Sequence, residues 1–164
     1  MRVPDPVIFF EQKSLYATKG DVPEGEHTEE LGKAKVLLDG DDVTIVALAA
    51  MVPKTLKAAQ TLKDDHGISA CVVDVRSLVP LDTTTILSSV EKTGRLITVE
   101  ENPRLCGWGA EIASIVAEEI FWSLKGPIVR VTTPHIPLPS ADELEDAVLP
   151  SVDRIVAAAR RITD

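Results

Sequence analysis

Apolar and polar positions alternate along this chain in short blocks that change period, and the changes mark its elements. Val43-Thr44-Ile45-Val46-Ala47-Leu48-Ala49 is a nearly unbroken apolar run, the pattern of a strand covered on both faces of a sheet. Ser69 to Val75, Leu96 to Glu100 and Ile128 to Thr132 repeat that pattern. Helical spacing lies between these runs. Pro53 suits the first turn of a helix that ends at His66-Gly67, since proline's missing N–H is harmless there and glycine caps a helix end. Asp82 is placed to cap a helix that reaches Thr93 and stops at Gly94. Apolar periodicity predicts a long helix over 110–124, broken by Gly126-Pro127. Pro134, Pro137 and Pro139 hold an extended stretch, and Ser140 or Ala141 opens a short helix with Asp142, Glu143 and Glu145 near its positive end. In the last helix, after Pro150-Ser151, Val152, Ile155, Val156, Ala159 and Ile162 share one face.

Upstream the pattern is weaker. Val7-Ile8-Phe9-Phe10 reads as a short strand. Glu11 to Lys33 has no sustained period and is rich in Gly, Pro, Glu and Lys, as in a linker. Ala34 to Leu38 is a weak strand, and Asp39-Gly40-Asp41 is a hairpin signal. The order strand–strand–helix–strand–helix–strand–helix–strand–helix predicts a three-layer α/β/α sandwich. Its sheet is mostly parallel, with the strand at 34–38 as an antiparallel edge tied by the hairpin. The domain division is 1–34, the end of a preceding domain and a linker, and 35–164, the sandwich.

Composition narrows the chemistry. The chain has 164 residues, enough for a substantial core. Aromatics are only 4 %, so the core must be aliphatic. A formal charge of −9 disfavours nucleic acid and anionic membrane surfaces as partners. No apolar run reaches the roughly 18 residues of a membrane span, and the first residues lack the basic-then-apolar pattern of a secretory signal. Two cysteines, Cys71 in a strand and Cys106 in a turn, are too few for a disulfide framework. Three scattered histidines give no zinc spacing.

The densest chemistry lies in Glu100-Glu101-Asn102-Pro103-Arg104-Leu105-Cys106-Gly107-Trp108-Gly109-Ala110-Glu111-Ile112, read as strand, glycine turn and helix. One reading is a structural turn in which glycines allow close backbone approach. The other is a binding or docking edge at the carboxyl end of a sheet. Glu100 and Glu101 form a general acid/base pair only if they meet, yet neighbours on a strand point to opposite sides. A salt bridge or a solvated edge is the other reading. A phosphate turn at Gly107 to Gly109 is opposed by Glu111, which would repel an anion. Asp74-Val75-Arg76 with Asp82 reads as an ion-paired arginine beside a helix cap, with substrate contact as the other reading. Trp108, placed in an exposed turn, is a candidate interface anchor. His135, between prolines, is an exposed loop residue or a functional one.

Several phrases fall in one order: 6–13 with Leu15-Tyr16; Gly32-Lys33-Ala34; 42–47; 73–82; 92–95; 107–112; Pro127 with Arg130-Val131; and 136–139. From about Pro6 to Ile162 this series resembles the C-terminal half of the beta subunit of thiamine-diphosphate-dependent 2-oxo acid dehydrogenases. That family includes the pyruvate, branched-chain and acetoin enzymes. The resemblance implies the transketolase C-terminal fold, and a parent enzyme that oxidatively decarboxylates a 2-oxo acid and acylates lipoamide. It also implies thiamine diphosphate and Mg in the parent, held outside this chain, with none bound here and no catalytic residue supplied here. The implied partners are an alpha subunit, a second beta subunit in a heterotetramer, and a lipoyl acyltransferase core. Arg104, Trp108, His135 and Glu143 are the candidate partner contacts. His135 stands where many members of the family carry an acid. The resemblance further implies a fragment, with Met1 to Asp5 just before the last strand of a missing domain, and a bacterial cytoplasmic or mitochondrial-matrix setting. Two alternatives remain: a flavodoxin-like ligand-binding domain, and another transketolase-type enzyme. The first needs a glycine-rich loop where this chain has Ala49-Ala50-Met51-Val52-Pro53.

Overall fold

The computed structural model describes residues 6–163. The segment Met1 to Asp5 lies outside the described residues. Five strands, β1 (Lys35–Leu38), β2 (Val43–Ala47), β3 (Ala70–Asp74), β4 (Leu96–Pro103) and β5 (Val129–Thr133), form one sheet in the order β1-β3-β2-β4-β5. β2, β3, β4 and β5 are parallel, and β1 runs antiparallel to β3. The helices are α1 (Met51–His66), α2 (Thr83–Thr93), α3 (Trp108–Glu119), α4 (Asp142–Val148) and α5 (Val152–Thr163).

Two aliphatic cores make the three layers. On one face, Ile45, Ala47, Val72, Ile97 and Val99 pack against α1 and α5 through Met51, Leu62, Ile155 and Ile162. On the other face, Val46, Cys71, Val73 and Leu96 pack against α2 and α3 through Ile86, Val90, Ile112 and Val116. Alternation along β2 divides its side chains between the two cores. The sandwich, its largely parallel sheet and its antiparallel edge therefore match the sequence expectation.

The hairpin does not. β1 pairs with β3, and β3 separates it from β2. Residues 39–42 step across the start of β3. Gly40 passes so close that a Cβ there would meet the Ala70 carbonyl oxygen at 2.6 Å. Asp39 and Asp41 instead hold Lys92 at the end of α2, at 2.7 and 2.9 Å. The aspartates that suggested a tight turn serve an ion pair.

Val7 to Phe10 forms no strand, and Phe10 is 95 % exposed. An apolar run becomes a strand only beside a pairing partner, and the described residues offer none there. The helix expected over 110–124 begins earlier, at Trp108 with Gly107 as its N-cap, and ends at Glu119. Ile120, at φ −135°, turns the chain into a short 3-10 turn at Phe121–Ser123. Gly67 and Gly94 close α1 and α2 in the left-handed conformation as expected, at φ 69° and 75°.

Candidate functional site

The carboxyl ends of the four parallel strands point to one edge, where ligands of open α/β sheets bind. Non-glycine residues in the left-handed region gather at this edge. Ala49, Arg76 and Cys106 are non-glycine residues with positive φ (51°, 60° and 56°), and each stands in a loop after a parallel strand. Such conformations are costly for residues with a Cβ.

At the end of β4, period-2 alternation puts Thr98, Glu100 and Asn102 on one face. Pairing with β5 sets Arg130 opposite Thr98, diagonal to Glu100. Glu100 is fully buried. Its carboxylate accepts from Arg130 Nε (2.8 Å) and Nη2 (2.9 Å), from Thr98 Oγ1 (2.9 Å) and Asn102 Nδ2 (3.1 Å), and from the Gly109 amide (2.9 Å). Burial pushes its pKa up. The bidentate guanidinium, the Gly109 amide and the two side chains outweigh burial and hold the carboxyl below the usual glutamate value. The glycine turn exists for this knot. A Cβ on Gly107 would collide with Asn102, Glu100 and Arg130, and one on Gly109 with Glu100 and Thr98.

The structural reading of this segment is thus the observed one. Glu100 is an ion-paired residue, neither a solvated edge nor half of an acid/base pair, and Glu101 is only half-buried. A carboxylate whose oxygens are filled by five donors has no room to exchange a proton with a substrate. The same geometry decides the fit of a diphosphate to this turn. The helix-start amide of Gly109 already serves Glu100, and that carboxylate would repel a second anion. The turn does not fit the cofactor's phosphates. Among the described residues no three His, Cys, Asp or Glu side chains gather in a metal-binding group.

A second polar knot anchors the linker. Asp82 caps α2 through the Thr85 amide (3.1 Å) and also binds the Thr85 hydroxyl (2.7 Å) and the Ala34 amide (3.0 Å). Burial raises its pKa, but these three donors more than offset it and leave the carboxyl below its ordinary value. Gly32, at φ 72°, lies against the ring of Pro80, which follows a cis peptide bond. Arg76 pairs with Glu29 at 3.0 Å. Sequence reasoning anticipated the capping Asp82 and the paired Arg76; the partner comes from the linker.

The remaining candidates separate. Arg104 and His135 line one open cleft of about 610 Å³ beyond the ends of β4 and β5. Trp108 does not join them. It is half-buried at the start of α3 and packs on the core beneath α2 and α3, so it does not sit in an exposed turn. Glu143 is exposed in the first turn of α4 with Asp142 and Glu145. The exposed tryptophan is Trp122, 94 % accessible and edge-to-face with Phe121 at 5.2 Å. Reading the helix through to Leu124 hid it.

Comparison with known proteins fits this architecture. Residues 32–155 match the family model described as transketolase, C-terminal domain. The chain belongs to the transketolase C-terminal domain family. It is 46 % identical over 157 residues to the beta subunit of acetoin:2,6-dichlorophenolindophenol oxidoreductase from Cupriavidus necator. That match covers 96 % of this chain and 46 % of the relative. It is 44 % identical to the mitochondrial pyruvate dehydrogenase E1 component subunit beta-2 of Oryza sativa, covering 98 % and 44 %. A solved structure titled split gene transketolase, inactive beta4 tetramer, superposes with a TM-score of 0.70 at 33 % identity, covering 88 % of this chain and 45 % of that one. The chain spans about half the length of the curated relatives it matches. The resemblance read from the ordered phrases is therefore borne out. No helix among the described residues is long and apolar enough to cross a membrane.

Proposed function

We propose that this chain is the assembly and docking domain of the beta subunit of a 2-oxo acid dehydrogenase decarboxylating component. The parent oxidatively decarboxylates a 2-oxo acid, or cleaves acetoin, and passes the acyl group to lipoamide. Thiamine diphosphate with Mg supplies the carbanion chemistry when bound there, and this chain contributes no residue to it. Residues 35–164 are the domain proper, and residues 1–34 are the linker with the end of a preceding domain. The supporting observation is the closed state of the strand-end polar groups. Glu100, the Gly109 amide and Asp82 are all engaged within the chain, Asp82 with both Thr85 and the linker's Ala34, so they build a scaffold.

The exposed surface supports the docking role. Val7 to Phe10, the β1 edge (Val36 to Leu38) and the Phe121–Trp122 pair present apolar groups to solvent. We assign them to neighbouring subunits: an alpha subunit, a second beta subunit and the lipoyl acyltransferase core. Arg104, His135 and Glu143 are exposed enough to serve as contacts, and Trp108 contributes only its uncovered side. A bacterial cytoplasm or a mitochondrial matrix suits this assembly.

Calorimetric titration of the full chain with thiamine diphosphate and Mg tests the proposal. No binding is expected from the chain alone, and binding is expected once alpha subunit and full-length beta are supplied. Stoichiometric binding by the chain alone overturns it.

A further inference from the structure

In a chain of net charge −9, positive side chains gather along one edge of the sheet. Among the described residues β5 is an edge strand that pairs only with β4, and its Thr132 carbonyl also accepts from Arg154. Its length, with α5, lines an open groove of about 400 Å³, which continues past Thr133 into the cleft of about 610 Å³. Arg104, Arg130 and Arg154 line both parts, Arg161 extends one end, and His135 extends the other. Among the described residues Arg130 alone of these arginines is neutralised, by Glu100. Among the described residues Arg104, Arg154 and Arg161 have no carboxylate within ion-pair distance.

Arg154 is held in place by neutral acceptors. Its Nη1 donates to the Val148 and Leu149 carbonyls (3.2 Å each) and its Nη2 to the Thr132 carbonyl (2.6 Å). Those bonds fix the guanidinium and leave its charge uncompensated. Arg161 lies two helical turns further on the same face of α5, with Ala157 and Ala158 between. The small alanines leave a channel between that face and β5. At its far end the Thr133 hydroxyl is buried without a partner.

We propose that this groove receives an extended acidic polypeptide segment from a partner, which adds as a strand to the β5 edge and sets its carboxylates against Arg104, Arg154 and Arg161. The Thr132 carbonyl is taken by Arg154, so the template for strand addition is the rest of the outward-facing β5 backbone. Side chains of an added strand alternate, so every second residue faces the arginines of α5. The charges are strung along an open channel, which suits a chain of carboxylates better than one compact anion. This surface is independent of the parent reaction proposed above.

Fluorescence anisotropy on the full chain tests it, with a labelled peptide of alternating glutamate and valine as probe. Saturable binding is expected, weakening steeply between about 50 and 500 mM salt, with none for the matching lysine–valine peptide. Arg154→Gln removes structural bonds and is an ambiguous variant. The double change Arg104→Glu with Arg161→Glu touches exposed side chains without hydrogen bonds among the described residues. It should lower Tm by no more than about 4 °C, the cost of an acid in the last turn of α5, and weaken binding at least about tenfold. Amide exchange of the β5 residues whose N–H groups face away from β4 should slow when the peptide binds. Unchanged affinity in the double variant, absence of saturable binding, unprotected β5 amides, or displacement by equimolar inorganic phosphate would each overturn the proposal.

Discussion

Replacing Arg130 by Met isolates the energetic centre of the strand-end knot. Met fills much of the arginine stem's volume, so the change removes charge and two hydrogen bonds with little packing loss. It leaves Glu100 fully buried with Thr98, Asn102 and the Gly109 amide as its remaining donors. Removing one partner of a buried pair costs about 3–5 kcal/mol. For a chain of this size each kcal/mol lowers Tm by roughly 2–4 °C, which sets an expected drop of about 6–20 °C by scanning calorimetry. The pH dependence carries the sharper test. In the wild type the folded Glu100 pKa lies below its unfolded value. The pair's contribution is therefore present above the unfolded pKa and lost as pH falls through the folded one. In Arg130→Met burial is no longer opposed by a guanidinium, the folded pKa rises, and the penalty from the buried Glu100 charge shrinks as pH falls. The gap between the proteins should narrow from pH 7 toward pH 4.5. Adding Glu100→Gln to Arg130→Met should recover most of the loss at pH 7, because the orphaned charge has gone. A loss under about 1 kcal/mol, a gap that does not depend on pH, or a double variant worse than Arg130→Met would refute this account.

Three further outcomes follow from the same geometry. Gly109→Ala drives a Cβ into Glu100 and Thr98 and should cost about 1–3 kcal/mol or more by urea unfolding, with Ala110→Gly as a milder control of helix propensity alone. Asp82→Ala removes the α2 cap and the Ala34 contact; a loss of about 1–2 kcal/mol is expected, with faster proteolysis between Glu24 and Lys33. Since its folded pKa is depressed, that loss should shrink as pH falls below the ordinary aspartate value. Cys106 is exposed, whereas Cys71 is buried with its thiol pKa pushed up chiefly by burial; a thiol reagent read by mass spectrometry should label Cys106 in the native protein and Cys71 only after unfolding.

The sandwich was legible because buried parallel strands are continuous aliphatic runs and their crossovers carry helical spacing. Val43 to Ala47 is buried throughout, and the helix face of Ile155, Val156, Ala159 and Ile162 is the buried face. Pairing order was not legible. Asp39-Gly40-Asp41 carries a strong local turn signal, but whether β3 intervenes between β1 and β2 depends on packing far along the chain. The Glu100 knot was half-legible. Thr98, Glu100 and Asn102 alternate polar residues on a strand whose other side begins with Ile97 and Val99, and two glycines follow. That combination signals a buried polar group meeting backbone. Its counter-charge, Arg130, lies 30 residues away and arrives only through the α3 crossover. The cationic groove was invisible for the same reason: its arginines come from the β4 exit, from β5 and from α5.

The arrangement of charge gives the domain's role a physical direction. A catalytic edge keeps polar groups under-satisfied so that a substrate can complete them. Here the polar groups at the ends of β4 and β5 divide into two sets. Glu100, Asn102 and the Gly109 amide satisfy one another inside the domain. Arg104, Arg154 and Arg161 face outward with charge to spare. The first set spends its interactions on fixing α3 and β5 to β4, so that the second set stands on a rigid frame. Preorganised surface charge on a rigid frame serves recognition, since it accelerates encounter and fixes register without needing a reactive cavity. Loosening the frame should therefore weaken acidic-peptide binding even where no arginine of the groove is changed. Gly109→Ala provides that comparison. If the variant, held well below its Tm, bound the peptide as the wild type does, the knot and the groove would be energetically separate, and the scaffold reading of Glu100 would lose its link to function.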